Sequence, residues 1–387
     1  MTSIAPLKRA AFVVAGQSPA SVDVSDFDGS ELPFLQGNAE FGENHPQPRL
    51  QCAAAPKRAE TGDVLLSVRA PVGALNIADR PYGIGRGLCA IRPKPVLDSS
   101  FAWWAIVATA PGLSAVATGS TYDAVTADDV GALSIPVPSV SVQRAIADYL
   151  DRETARIDML IAAKQRMLEL LEERLAIYTR QLLMSVHHVA LPLKRTWRLV
   201  DCKHHTPQYH DEGYPVISPG DTTPGRLDLS RAHRFVDEDD WRDLTADGRR
   251  PRKGDIVYSR NASIGIAAYV DTDAPFCMGQ DVCLITSDRA NQLFLAYFLN
   301  SLGLDQLEEQ KIGSTFSRVN VAQIREVIVP APGPEDQQRI AAQLDEASLS
   351  HQKVVDCLRR QILLLQERRQ ALITVAVTDQ LDIPEAA

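Results

Sequence analysis

Hydrophobic positions along this chain follow two rhythms that alternate twice. Residues 63–68, 88–91 and 256–259 are short runs rich in β-branched side chains bounded by Gly or Pro, which predicts strands. Residues 101–116 and 293–307 are longer apolar stretches that predict helices, so each region is mixed α and β, with Trp103, Trp104, Tyr297 and Phe298 expected in the cores. Two long amphipathic spans then begin just after Pro136-Val137-Pro138 and Pro330-Ala331-Pro332, because proline fixes an extended segment and cannot sit in a helix interior. In the second span Leu344, Ala347, His351, Val354, Leu358, Gln361, Leu365, Arg368 and Leu372 step by three and four, the spacing of a coiled-coil seam. The first span matches with Leu150, Glu153, Ile157, Leu160, Lys164, Met167, Leu171, Arg174 and Tyr178. Each helix would run about 60 Å at 1.5 Å per residue. Neither can bury its stripe alone, so pairing with the other within the chain is expected. Arg174 and Arg368 fall at matched seam positions, where snorkelling from the seam edge is favoured over a register-setting role.

The two halves are one unit repeated. Pro6-Leu7-Lys8-Arg9 recurs as Pro192-Leu193-Lys194-Arg195, and residues 62–73 align without a gap on 254–265. Cys89 matches Cys283, Gly119-Ser120-Thr121-Tyr122 matches Gly313-Ser314-Thr315-Phe316, and Ile146, Leu150 and Asp151 match Ile340, Leu344 and Asp345. The expected organisation is a domain over 1–138, a helix over 139–185, a second domain over 186–332, and a second helix with a tail over 333–387. The fold class is α+β, with two tandem mixed domains joined through an antiparallel coiled coil in a pseudo-two-fold repeat.

Composition narrows the function. With 387 residues, 45% of them hydrophobic and 23% charged, the chain is globular and multidomain. It shows neither a signal peptide nor a membrane-length apolar run, so a cytoplasmic location is expected. The six cysteines form no CxxC pair, which predicts free thiols rather than a zinc finger or disulfide framework. The net charge of −9 opposes binding of nucleic acid by bulk electrostatics, and the four segments carry −3, 0, −3 and −3. Any DNA contact must come from local Lys/Arg clusters.

Over nearly its whole length the sequence resembles the specificity subunits of type I restriction-modification systems. The resemblance rests on Gly119-Ser120-Thr121, Ile135-Pro136-Val137-Pro138 and Gln143 to Leu150, on their second copies Gly313-Ser314-Thr315, Val329-Pro330-Ala331-Pro332 and Gln337 to Leu344, and on a closing segment from Thr374 to Asp382. Asp379 departs from the family's usual Gly, and Ser141-Val142 lacks the acidic residue that Glu335-Asp336 keeps. The resemblance implies a non-catalytic subunit that recognises a bipartite site in double-stranded DNA through two target-recognition domains. It would direct adenine methylation and cleavage by two methylation subunits carrying S-adenosylmethionine and two ATP-driven restriction subunits using Mg. The chain itself would bind no cofactor and no membrane. The competing reading is a coiled-coil scaffold or adaptor with two globular protein-binding domains, which the acidic charge favours and the duplicated Gln-x-x-Ile-Ala element disfavours.

Base readout favours Arg, Lys, Asn and Gln on loops that reach a groove, with hydroxyl and aromatic groups adding phosphate and stacking contacts. Candidates in the first domain are Arg69, Arg86, Ser120, Thr121 and Tyr122. In the second they are Lys203, His204, Arg260, Asn261, Gln280, Ser314, Thr315, Phe316 and Arg318. The Gly-Ser-Thr elements read equally well as turns whose hydroxyls satisfy local backbone. The basic run Arg249, Arg250, Arg252 and Lys253 reads as a solvated loop opposite residues 237–240 ahead of a phosphate contact. Gly83, Gly85 and Gly87 precede a strand-like segment rather than a helix, which marks a turn instead of a nucleotide loop. Cys202, His204, His205 and His210 have metal-ligand types without zinc spacing. The Asn/Asp-Pro-Pro-aromatic motif of adenine methyltransferases and the Gly-x-x-x-x-Gly-Lys-Ser/Thr phosphate loop are both missing.

Overall fold

The computed structural model describes residues 3–113, 124–185, 189–261, 264–311, 319–378 and 380–381. The chain forms two compact units, Met1–Gln165 with Arg360–Ala387, and Arg166–Arg359.

In the first unit an antiparallel sheet takes the order Ala11–Ala15, Leu88–Pro93, Val64–Ser67, Leu75–Ile77. In the second unit the order Arg198–Asp201, Val282–Thr286, Ile256–Ser259, Ala267–Tyr269 repeats it, with Gly225–Arg226 added at the far edge. The register repeats residue for residue. Cys89 stands opposite Leu66 and Cys283 opposite Tyr258, as the sequence alignment requires. A smaller sheet in each unit contains one parallel pair, Phe34 opposite Gly83 and Val216 opposite Cys277. Gly62 and Gly254 both hold positive φ (87° and 96°) at the turn into the central strand, a region costly for any residue with a Cβ. The Gly83-Gly85-Gly87 series is not wholly a turn: Gly83 lies within the strand Tyr82–Ile84, and all three glycines allow close packing against residues 34–37.

Expected helices appear with small changes. Ser99–Thr109 is capped by Asp98, whose carboxylate accepts from the Ser100 and Phe101 N–H groups. Its counterpart Gln292–Phe298, capped by Asn291, passes through a π-turn at Leu299–Gly303 into Leu304–Lys311. Trp104 and Phe298 are core residues, whereas Trp103 and Tyr297 pack at its margin.

The long helices span Val140–Leu183 and Pro334–Val377, and each contributes to both units. In the first unit Ile146, Ala147 and Leu150 from the start of one helix share a core with Ile373, Ala376 and Val377 from the end of the other. In the second unit Ile340, Ala341 and Leu344 meet Leu183 in the same way. Burying each large aliphatic side chain contributes about 1.5–3 kcal/mol, so the helices are fastened chiefly at these domain contacts. Within the first unit Arg369 donates to Asp158 (2.9 Å) and Lys164 to Gln361 (2.6 Å), pairings that run antiparallel.

The seam differs from the sequence reading in one phase. Leu160 and Met167 are 52% and 50% exposed, while the inward positions are Thr154, Ile161, Leu168 and Leu175, one residue later. Val355, Ile362 and Arg369 likewise replace Val354, Gln361 and Arg368. Arg174 and Arg368 are exposed and set no register.

Two buried glutamines join helix to domain. Gln143 accepts the Asp98 N–H (2.7 Å) and donates to the Val96 and Pro138 carbonyls (2.9 and 2.8 Å). Gln337 accepts the Asn291 N–H (2.9 Å) and donates to Pro332 (2.9 Å). Neither is more than 5% exposed, so the repeated Gln serves the interior and is not a docking surface. Gln337→Leu keeps the bulk but strands a buried N–H and a carbonyl. We expect a loss of about 2–3 kcal/mol by chemical denaturation, and at least as much for Gln143→Leu; an unchanged midpoint would refute the role.

Candidate nucleic-acid interface

The strand-end candidates converge because the central hairpin brings them together. In the first unit the Gly87 carbonyl accepts the Val68 N–H (2.9 Å), which sets the exposed Arg86 turn beside the strand end carrying the exposed Arg69. Arg69 also bridges to Ala124. The second unit repeats this frame: the Arg260 N–H donates to Asp281 (2.9 Å), and the Val319 N–H to Arg260 (2.8 Å) as Val125 does to Val68 (3.0 Å).

Different side chains hang on the same frame. Where the first unit has Arg69 and Arg86, the second has Asn261, whose amide donates to Asp281 (3.1 Å), and the exposed Gln280, which donates to Thr206 (2.8 Å). Guanidinium pairs suit guanine edges and amides suit adenine edges. Ser120, Thr121, Tyr122, Ser314, Thr315, Phe316 and Arg318 lie outside the described residues.

Arg260 departs from its expected role. It occupies the position of Val68 and is 3% exposed, because alternation along the strand turns that side chain inward. Its guanidinium binds Asp201 (2.6 Å) and the Cys202 thiol (3.6 Å). Arg260 therefore positions the loop that presents Lys203 and His204 and offers no fork to a base. Lys203 is ion-paired with Asp243, and that contact holds the Asp243 carboxyl below its ordinary pKa. His204 is 63% exposed, 3.5 Å from Asp201.

Asp201, Cys202 and His204 place one ligand atom each within 4.8 Å of the others. The set does not suit a cation: Arg260 already neutralises Asp201, and burial pushes the Cys202 thiol up, against the thiolate that metals require. Cys52, Cys89, Cys202, Cys277 and Cys283 are buried thiols outside any disulfide, and Cys357 is exposed. No helix among the described residues is long and apolar enough to cross a membrane.

Along the outer edge of the second unit's sheet runs an open cleft of about 1170 Å³, lined by eight Lys or Arg and four Asp residues. It includes Arg249, Arg250 and Arg252, so this basic run, read in the sequence as a solvated loop, faces a cavity. Arg250 lies over the Trp241 ring (5.1 Å).

What the fold and these loops define is a duplicated chain with two matched frames that carry divergent polar side chains. The family model of the type I restriction modification DNA specificity domain matches it twice, over residues 56–170 and 205–351, more than half its length. The chain belongs to this family. Among curated relatives, the specificity subunit of the type I restriction enzyme MjaX of Methanocaldococcus jannaschii is 37% identical over 162 residues, 42% of this chain and 37% of the relative. The MjaIX specificity subunit of the same organism is 26% identical over 171 residues, 41% and 39% of the two chains. The match thus spans well under half of each relative. A chain from a structure of complex assembly in a type I R-M system has the same fold, with a TM-score of 0.75 at 18% identity and 97% of both chains covered. The HsdS subunit from Thermoanaerobacter tengcongensis gives a TM-score of 0.55 at 17% identity, covering 98% of this chain and 97% of that one.

The cleft also contains a testable carboxylate. In the first unit Asp63 is paired with Arg92 (2.8 Å), but its counterpart Asp255 faces Thr286 in place of an arginine, and burial raises the Asp255 pKa. A carboxyl whose folded pKa is raised favours folding below the unfolded value of about 4. That contribution is lost as pH climbs through the folded pKa. Asp255→Asn should therefore gain stability relative to the parent between pH 3 and pH 7; parallel denaturation midpoints at both pH values would refute this.

Proposed function

We propose that this chain is the DNA specificity subunit of a type I restriction-modification complex. The observation that carries the reading is the twofold family match, once in each copy of a duplicated fold. Residues 1–138 and 186–332 are the two target-recognition domains, each reading one half of a bipartite site. Residues 139–185 and 333–387 are the spacers between them. Arg69 and Arg86 read the first half, and Asn261 and Gln280, with Lys203 and His204 alongside, the second. Ser120, Thr121, Tyr122, Ser314, Thr315, Phe316 and Arg318 are further candidates for DNA contact.

The chain performs no catalysis and holds no cofactor. Two methylation subunits supply S-adenosylmethionine and modify adenine, two restriction subunits supply ATP- and Mg-dependent translocation and cleavage, and the assembly works in the cytoplasm. Support comes from the family membership and from polar loops that diverge on a common backbone frame.

Co-expression with a type I methylation subunit from the same genome, followed by methylome sequencing, should give one bipartite adenine-methylated motif. Exchanging residues 186–332 with those of another family member should change one half only. Methylation that persists unchanged without this chain would overturn the reading. In the same assay Arg86→Ala should relax the first half and Gln280→Ala the second, each by about 1–3 kcal/mol of base discrimination; a change in the opposite half would reject the assignment.

A further inference from the structure

The second domain carries −3 overall, yet its charge is sharply sorted. Arg195, Arg198, Arg252 and Arg289 line the edge cleft, are exposed, and make no side-chain hydrogen bond or ion pair among the described residues. Of the carboxylates on the same lining, Asp201 is held by Arg260, Asp247 by Arg249, and Asp255 is buried, which leaves Asp288 as the exposed one without an ion pair among the described residues. Unpaired guanidinium forks along a groove are the geometry that phosphate oxygens accept.

The cleft also excludes another class of occupant. Arg198–Asp201 is an edge strand, open in principle to an added peptide strand. Its outward carbonyls are already taken: Arg325 donates to Leu199 (3.4 Å) and Arg249 to Asp201 (3.2 Å). A peptide would have to displace both arginines.

Three of these arginines are particular to one copy, while Arg195 has its match in Arg9, and the first copy sets Arg92 and Lys94 where the second has Thr286 and Asp288. Glu60 and Arg252 occupy the same turn, since each N–H donates to the following Asp at 2.8 Å. Phe12 stands opposite Arg92 as Arg198 stands opposite Thr286. At the matched offset Pro95 replaces Arg289. Three free arginines of the second copy thus correspond to an acid, an aromatic ring and a proline.

We propose that the edge cleft grips the phosphate backbone of duplex DNA, so that Arg198, Arg252 and Arg289 hold the second domain on its half-site through charge. This rests on the specificity-subunit reading and assigns it a backbone contact distinct from the strand-end residues. The test uses the full chain purified with its methylation subunits, on a labelled duplex carrying the methylated motif and on a scrambled duplex, across roughly 50–300 mM salt. Arg198→Ala, Arg252→Ala and Arg289→Ala combined should weaken both duplexes alike, about tenfold or more. The slope of log affinity against log salt should become shallower by about 2–3. The corresponding triple Lys variant should keep the slope, because phosphate binding needs the charge, and should report that the fold tolerates change there. If the parent binds its motif and the Ala variant matches it in affinity and slope, the cleft assignment is wrong and the specificity reading stands. Weakening on the motif duplex alone would make these residues base readers and also overturn it. A parent that binds neither duplex would remove the specificity reading itself.

Discussion

The arrangement depends on how each long helix is fixed to the domain before it. A domain on a swivelling joint would place its loops unpredictably, however well the loops were built. The swivel is removed twice by the same device. A short strand ending in Pro-x-Pro pairs with the first strand of its copy, Ile4 opposite Pro136 and Ala190 opposite Pro330. The glutamine one turn into the helix then bonds back to the last proline carbonyl and across to the N-cap residue of the domain helix. Strand, helix start and domain helix are thereby tied at one buried point, where an unpaired polar group would be costly. The aspartates Asp151 and Asp345 add a second tie two turns on, accepting from the Trp104 indole (2.8 Å) and the Tyr297 hydroxyl (3.2 Å).

Each domain is also closed by the end of a helix that began in the other copy. Leu183 and Val377 occupy matched positions and are both buried, 0% and 1% exposed. The chain consequently leaves the first unit through one helix and returns to it through the second. Neither core is complete without both helices, so the repeats are not independent beads, and the helix ends carry burial that the half-exposed middle of the seam cannot.

Much of this was legible in the residues themselves. The repeat alignment located the central strand pair, and its two offsets, 192 before the hairpin turn and 194 after it, are both satisfied by Leu66 opposite Cys89 and Tyr258 opposite Cys283. The seam phase was not legible. Two heptad phases share one residue in each repeat (Leu150, Ile157, Lys164, Leu171), and only knowledge of the facing surface separates Met167 from Leu168. Arg260 was misread because arginine is usually exposed. Its alignment with Val68, which is buried at the same place in the first copy, was the available signal.

The same contrast explains how two copies can keep one fold and still differ in what they touch. At the Glu60 and Arg252 turns the shape is set by a backbone N–H, an aspartate and a left-handed glycine, none of which involves the side chain at the variable position. Reversing the charge there leaves the turn's own hydrogen bonds intact, and an exposed substitution of this kind typically changes stability by under about 0.5 kcal/mol. Fixed backbone frames with uncommitted side chains therefore let surface chemistry diverge at small cost, whereas the buried glutamines, aspartates and Pro-x-Pro joints leave no such freedom. An acidic chain can in this way carry a basic groove: the average charge is spread over surfaces that need only stay solvated, and the local charge sits where the backbone has already been settled by other residues.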